Sequence, residues 1–208
     1  MTSPVPSSLG LTPVEVAAVL EAAASAPSVH NSQPWRFRVL ADRIELHADF
    51  SRRLPATDPD DRELRLACGA ALTNVRIALE ALGIRPLVTL LPRDCGPTAL
   101  AVIRRGGHTQ PTTQLTDLRR AILVRRTNRK PFRDIPLTAT THGLSASFIT
   151  QPIEVPACRD ELRRLLGAGI TAQTILRVGH GSPVAPTPRR PMADLLIDAT
   201  PALPGGSS

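Results

Sequence analysis

The stretch Ala26-Pro-Ser-Val-His-Asn-Ser-Gln-Pro-Trp35 decides the fold of this 208-residue chain, because it joins an apolar helical pattern to an alternating strand pattern. We expect it to form a polar loop whose candidate binding residues are Ser28, Asn31, Ser32 and Gln33. Neutral hydroxyls and amides suit a heterocycle edge that alternates donors and acceptors. Serine and asparagine are also common in turns, and composition alone favours an ordinary capped connection.

The elements next to this loop follow from standard signals. Thr12 is the expected N-cap of a helix that ends near Pro27, and Glu15 stands three residues after that cap, as in a capping box. On the other side of the loop, residues 35–40 and 43–48 alternate and predict two paired strands.

The strongest helical pattern covers residues 62–82 and is rich in small residues. It predicts a broad buried face that packs against a second helix or a subunit and consists of Leu66, Gly69, Ala70, Thr73, Val75, Ile77, Ala78 and Leu82. The remaining expectations are strands at 88–91, 99–103, 143–149 and 174–178, a linker at 106–113, helices at 116–124 and 157–166, and an extended arm from Gly179.

A second polar stretch, Arg125-Arg-Thr-Asn-Arg-Lys-Pro-Phe132, combines cations with a hydroxyl and an amide. Arg125, Thr127 and Arg129 alternate, so an extended backbone would present them on one face as an anion clamp, with Arg126 as a further candidate. The alternative is a solvated basic surface, which is the usual meaning of a run of charges.

Composition excludes several classes of protein. The net charge of +7 permits an anionic partner, but aromatic residues make up only 2% of the chain, which argues against nucleic-acid binding. No apolar run is long enough for a membrane span, and the N-terminus does not resemble a secretory signal. Three widely spaced cysteines predict neither a disulfide framework nor a zinc site, so we expect a cytoplasmic protein without a metal.

Both polar stretches resemble motifs of the nitroreductase family. Pro27-Ser28-x-x-Asn31-x-Gln33-Pro34-Trp35 resembles its flavin-contacting loop, and Arg125 to Arg129 resembles its FMN-phosphate motif, with Thr127 in place of serine. Gln151-Pro-Ile-Glu154 is similar to the turn beside flavin N5, although Val155 replaces the usual glycine. Thr187-Pro-Arg-Arg190 is similar to the segment with the family's terminal phosphate-binding arginine. The resemblance implies these FMN-binding residues: Ser28, Asn31, Ser32, Gln33, Arg125, Arg126, Thr127, Arg129, Glu154, Arg189 and Arg190.

The order of the motifs is similar to that of Acg-type nitroreductases, in which two nitroreductase-like halves are fused. Cys68-Gly-Ala-Ala-Leu-Thr-Asn74 and Pro188-Arg-Arg-Pro191 also fit that group. Only the ten residues 133–142 separate Phe132 from Gly143, where Acg-type chains carry a long additional stretch. The resemblance therefore implies an α+β fold with an incomplete second half. We expect a flexible tail at 1–10, a first half at 11–113, a truncated second half at 114–197 and a tail at 198–208.

The resemblance leaves three functions open. The first is an FMN-dependent oxidoreductase that uses NAD(P)H to reduce nitro compounds or quinones through flavin N5. The second is a non-catalytic protein that sequesters flavin, and the third is an inactive truncated remnant. The resemblance also implies a flavin nucleotide and a small electron acceptor as partners. The small-residue helix at 62–82 adds the hypothesis of a homodimer that supplies the missing packing.

Overall fold

The computed structural model describes residues 5–124, 139–148, 156–167, 176–180 and 188–197, and its helices and antiparallel strands confirm the expected α+β class. The helices are α1 (Pro13–Ala24), α2 (Arg62–Ala81), α3 (Thr113–Val124), α4 (Pro156–Leu166) and α5 (Met192–Leu195). The strands are β1 (Trp35–Val39), β2 (Arg43–Ala48), β3 (Ile84–Leu90), β4 (Ala99–His108), β5 (Ser145–Phe148) and β6 (Leu176–Gly179). No helix in the described ranges has the length and apolar character to cross a membrane.

Helix α1 begins as the sequence predicts. The Thr12 hydroxyl accepts the Glu15 N–H, and the Glu15 carboxylate accepts the Thr12 N–H at 2.9 Å, which completes a capping box. Its buried face, which includes Val16, Val19 and Leu20, belongs to the main hydrophobic core.

The principal sheet has four antiparallel strands in the order β1-β2-β4-β3. The register of the first pair joins Trp35 to Ala48 and Val39 to Ile44, which confirms the predicted strand pair. Trp35 and Phe37 alternate along β1 and are both fully buried, in the core that also contains the buried faces of α1 and α2. The second sheet pairs β5 with β6.

Helix α2 packs against α1, and the predicted positions Thr73, Val75, Ile77 and Ala78 are buried, but the first turns of the helix bury a different face from the predicted one. Leu64, Ala67 and Cys68 are buried, whereas Leu66 is 45% exposed and Gly69 is exposed. Each residue turns the helix by about 100°, so a small rotation of the buried stripe exposes the Leu66 face. The Asn74 amide donates to the Ala22 carbonyl at 2.8 Å and links the two helices.

Two strands are longer than predicted. Strand β3 begins at Ile84, before Pro86. Proline cannot donate a hydrogen bond to a neighbouring strand, but β3 is an edge strand, so Pro86 does not interrupt it. Strand β4 continues into the predicted linker at 106–113 and ends at His108. Gly106 fits there because a Cβ atom at this position would lie 2.5 Å from Leu87 Cγ.

The C-terminal segment, predicted as an extended arm, instead packs on the first half of the chain. The Ile197 N–H donates to the Phe37 carbonyl at 2.8 Å beside a parallel bridge from Phe37 to Leu196. Leu195 on α5 is fully buried in the core. Within the expected N-terminal tail, Leu9 is also buried and donates its N–H to the Ala41 carbonyl.

The sheet face opposite the helices carries a buried polar network. The Glu45 carboxylate accepts hydrogen bonds from Arg43 at 2.8 Å and Arg38 at 3.1 Å, and it contacts His47 Nε2 at 3.1 Å. Nδ1 of His47 lies 3.0 Å from the Thr98 hydroxyl. Burial lowers the pKa of His47, and Arg38 adds to this effect, although the bond to Glu45 opposes it.

This network predicts a stability loss in mild acid. The unfolded chain protonates His47 near its ordinary pKa of about 6.5, whereas the folded protein resists protonation. The contribution of His47 is therefore present above that value and is lost as the pH falls toward the lower folded pKa, by at most about 1.4 kcal/mol per pH unit. We expect His47→Asn to flatten the dependence of unfolding free energy on pH between about 7 and 5, measured by urea denaturation.

The matched control is His108→Asn, because His108 is exposed at the end of β4. It should keep the wild-type pH dependence. Equal slopes for the wild type and His47→Asn would contradict the assignment.

Candidate functional site

The predicted polar loop has an unusual backbone. His30, Asn31 and Gln33 have φ values of 49°, 55° and 48°. These values lie in the left-handed region of the backbone, which residues other than glycine rarely adopt. Residues Val29–Asn31 form a single 3-10 turn, and the Ser28 hydroxyl accepts the Gln33 N–H at 2.9 Å. Such a backbone persists where surrounding contacts hold it, and it is common at functional sites.

The contacts that hold this loop come from residues Pro188–Arg190, which we call the C-terminal clasp. The Asn31 amide donates to the Pro188 carbonyl at 2.8 Å. The Gln33 side chain accepts the Arg190 N–H at 2.9 Å and donates to the same Pro188 carbonyl at 3.3 Å. Because Gln33 is only 3% exposed, its amide is an internal link between the loop and the clasp.

The Arg189 guanidinium joins three parts of the structure. It donates to the carbonyls of Ser25 at 3.2 Å and Ala26 at 3.3 Å, where α1 ends, and to Asn31 Oδ1 at 3.0 Å. Burial lowers the pKa of Arg189. The helix end and the loop therefore share one cation.

Arg190 lies on the other side of the loop. It donates to the carbonyls of Gln33 at 2.9 Å and Trp35 at 3.2 Å, and it forms a salt bridge of 3.1 Å with Asp49. Burial lowers the pKa of Arg190, and the positive charge of Arg52 lowers it further, although Asp49 opposes both effects. Arg190 Nε is one of four buried side-chain donors without a hydrogen-bond partner among the described residues, and the other three are Trp35 Nε1, Arg36 Nε and Arg76 Nε.

Sequence reasoning missed three residues at this site. Asp49 follows β2, and Arg52 lies in the next turn and donates to the Ser32 carbonyl. Cys68 on α2 donates to the Pro34 carbonyl at 3.2 Å, and burial raises the pKa of its thiol to about 12. The match of residues 68–74 to an Acg-type segment was the one signal near Cys68, whereas Asp49 and Arg52 had no distinguishing pattern.

The structure brings six of the eleven predicted site residues together, namely Ser28, Asn31, Ser32, Gln33, Arg189 and Arg190. The other five, Arg125, Arg126, Thr127, Arg129 and Glu154, lie outside the described residues. The meeting of the loop with residues that follow it by more than 150 positions is the main geometric result, since nothing local in the sequence requires it.

Comparison with known proteins agrees with this geometry. Residues 7–54 match the model of the nitroreductase family. A Mycobacterium tuberculosis protein described as "Putative NAD(P)H nitroreductase acg" is 34% identical over 172 residues, which are 80% of this chain and 51% of that relative. Another protein of the same species, "Putative NAD(P)H nitroreductase Rv3131", is 44% identical over 88 residues, which are 42% of this chain and 26% of the relative.

The chain belongs to the nitroreductase superfamily and is of the Acg type. It spans about half the length of the acg relative that it matches.

The described residues fit a flavin nucleotide in donor type and charge. The Asn31 amide has a second N–H and a second lone pair beyond the two bonds that the clasp uses, and its side chain is only partly buried. The unpartnered Nε–H of Arg190 is a buried, cationic donor of the kind that a phosphate oxygen would satisfy.

The site geometry predicts that Gln33 contributes to stability. Gln33→Leu keeps the volume but leaves the Arg190 N–H without its acceptor, which should lower the unfolding free energy by about 1–3 kcal/mol. Urea denaturation followed by circular dichroism measures this change.

Gln114→Leu is the matched control, because Gln114 is exposed on α3 and its replacement should change stability by no more than about 0.5 kcal/mol. If both variants were equally stable, the link between Gln33 and the clasp would carry no net free energy.

Proposed function

We propose that this protein is a cytoplasmic FMN-binding oxidoreductase that uses NAD(P)H to reduce nitro compounds or quinones. The observation that carries the proposal is that the loop of Ser28, Asn31, Ser32 and Gln33 meets Arg189 and Arg190 in one place. The odd number and wide spacing of the three cysteines, Cys68, Cys95 and Cys158, support a reducing compartment.

The proposal divides the binding residues by chemistry. The neutral groups of Ser28, Asn31, Ser32 and Gln33 would hold the flavin ring and ribityl chain, and Asn31 leads this group because it keeps hydrogen-bonding capacity. Arg190 would hold the phosphate through its unpartnered Nε–H.

Five further residues, which lie outside the described part of the chain, complete the proposed site on the strength of the family motifs. Four would bind the phosphate and the last would lie beside the flavin: Arg125, Arg126, Thr127, Arg129 and Glu154. When bound, FMN supplies the capacity to accept two electrons from NAD(P)H and deliver them to an acceptor.

A second function, flavin sequestration without turnover, is favoured by a different observation. The clasp covers the loop so closely that Gln33 is only 3% exposed. The side-chain amides of Asn31 and Gln33 already donate hydrogen bonds to the Pro188 carbonyl. A ligand held under such cover would be shielded from a hydride donor.

The proposal predicts a flavin spectrum. Purified protein mixed with FMN and desalted should retain the absorbance bands of bound flavin, and Asn31→Ala should weaken FMN binding about tenfold, as expected for a lost hydrogen bond in a site shielded from water. Quenching of FMN fluorescence during titration measures the Kd.

Gln114→Ala serves as the control, since it removes an exposed amide on α3 away from the loop and should leave the Kd unchanged. A wild-type protein that emerges colourless from desalting and quenches no FMN fluorescence would refute flavin binding and leave the remnant interpretation.

Turnover separates the two flavin-binding functions. NADPH or NADH oxidation in the presence of a nitroaromatic compound or a quinone would establish the oxidoreductase. A yellow protein that oxidises neither donor would instead establish sequestration.

We also propose that two copies of the chain pair through the exposed face of α2. Leu66 is 45% exposed next to the exposed Gly69, and small side chains allow close helix approach. Light scattering should give the mass of a dimer for the wild type and a reduced dimer fraction for Leu66→Glu. A folded, strictly monomeric wild type would refute pairing.

A further inference from the structure

The end of α1 presents a specific electrostatic problem. The last carbonyl groups of an α-helix have no donors within the helix, and the helix dipole makes this end negative. In α1, the basic residues that commonly occupy a last turn are absent. Arg189, more than 160 positions later, reaches the carbonyls of Ser25 and Ala26.

The same guanidinium fixes the polar loop. Nη1 of Arg189 donates both to Ala26 O at 3.3 Å and to Asn31 Oδ1 at 3.0 Å. The Asn31 side chain is thereby oriented, with its Nδ2 donating to the Pro188 carbonyl, while its backbone stays left-handed. The amide that leads the proposed ring contact therefore owes its orientation to Arg189.

We infer that Arg189 is a positioning residue, which caps the C-terminal end of α1 and orients Asn31, rather than a ligand of the flavin phosphate. This inference rests on the proposed function for its flavin readout, and it reassigns one of the two arginines that the family resemblance allots to the phosphate. Arg190, with its buried unpartnered donor, keeps the phosphate role.

A guanidinium suits this position better than an ammonium. The acceptors are two successive carbonyls and one amide oxygen, all reached by the two terminal nitrogens of one planar group. A lysine ammonium is a compact point charge that lacks the rigid fork and is more strongly hydrated. The charge alone would stabilise the helix end, but it would not hold Asn31.

The two roles predict different ligand dependence. A residue that binds the phosphate contributes to the affinity for FMN but not to the affinity for riboflavin, which has the same ring and ribityl chain without the phosphate. A residue that orients Asn31 acts on both flavins equally. We expect Arg189→Gln to weaken the binding of FMN and of riboflavin by the same factor, about tenfold. The substitution removes a charged hydrogen bond to Asn31, whose contact with the ring is common to both flavins.

Three further variants sharpen the test. Arg93→Gln removes the same charge at an exposed site after β3 and should change neither Kd. Arg189→Lys keeps the charge and should still show most of the loss. In a double-mutant cycle, Arg189→Gln should add little to Asn31→Ala, because both substitutions remove one contact.

Loss of FMN affinity with unchanged riboflavin affinity would overturn the inference and restore the phosphate role. Unchanged affinity for both flavins, or full additivity in the cycle, would overturn it as well. Thermal melts identify any variant that fails to fold, and Arg189→Lys then replaces Arg189→Gln as the decisive comparison.

Hydrogen–deuterium exchange separates this inference from the proposed function. In the ligand-free protein, Arg189→Gln should accelerate amide exchange in peptides that cover residues 25–34, whereas Arg93→Gln should not. If the wild type bound no flavin, the proposed function would fail, but faster exchange at 25–34 would still support the positioning role. Unchanged exchange would overturn it.

Discussion

The carbonyl oxygens at the end of α1 and in the following loop need donors, and the arginines of the C-terminal clasp supply them. Arg189 serves the helix end, and Arg190 serves the loop where it enters β1. Both guanidinium groups are substantially buried, which lowers the pKa of each. A buried cation costs free energy unless it is paired or fully hydrogen-bonded. Asp49 pairs with Arg190, and carbonyl oxygens accept hydrogen bonds from both guanidinium groups, so the clasp and the loop stabilise each other even though Arg190 Nε keeps no partner.

This mutual dependence explains how the loop tolerates its backbone. Each left-handed residue other than glycine costs on the order of 1 kcal/mol, and less for asparagine, which tolerates this region well. Gln33 lacks the tolerance that asparagine and histidine have for this region, so contacts elsewhere must hold it. The bonds from Gln33 to the clasp and from Ser28 to the Gln33 N–H are such contacts. The polar residues of the motif therefore build the loop as well as offering groups to a ligand.

The sequence predicted the local elements well and the long-range ones poorly. The capping box at Thr12, the pair β1–β2 and the existence of α2 follow from short-range signals, and all are present. The folding back of the C-terminal segment was missed because its proline and glycine content suggested an arm, although Met192, Leu195 and Leu196 have helical spacing. The joining of Asn31 to Arg189 needed the family resemblance, since no periodicity connects positions so far apart. The roles of Asp49 and Arg52 are visible only once the loop has been placed in space.

The clasp also links the site to the core. Leu195 is buried in the main core, and Ile197 bonds to β1, only a few residues after Arg189 and Arg190. Any ligand that requires the present loop conformation must therefore favour docking of the C-terminal segment. By linkage, the factor by which the ligand raises the docking equilibrium constant equals the factor by which docking raises the affinity for the ligand. In this chain, whose match spans about half the length of the acg relative, the described residues alone make this coupling. The segments that resemble the flavin motifs and the segments that complete the fold share the same residues, so binding and folding are expected to change together when those residues are altered.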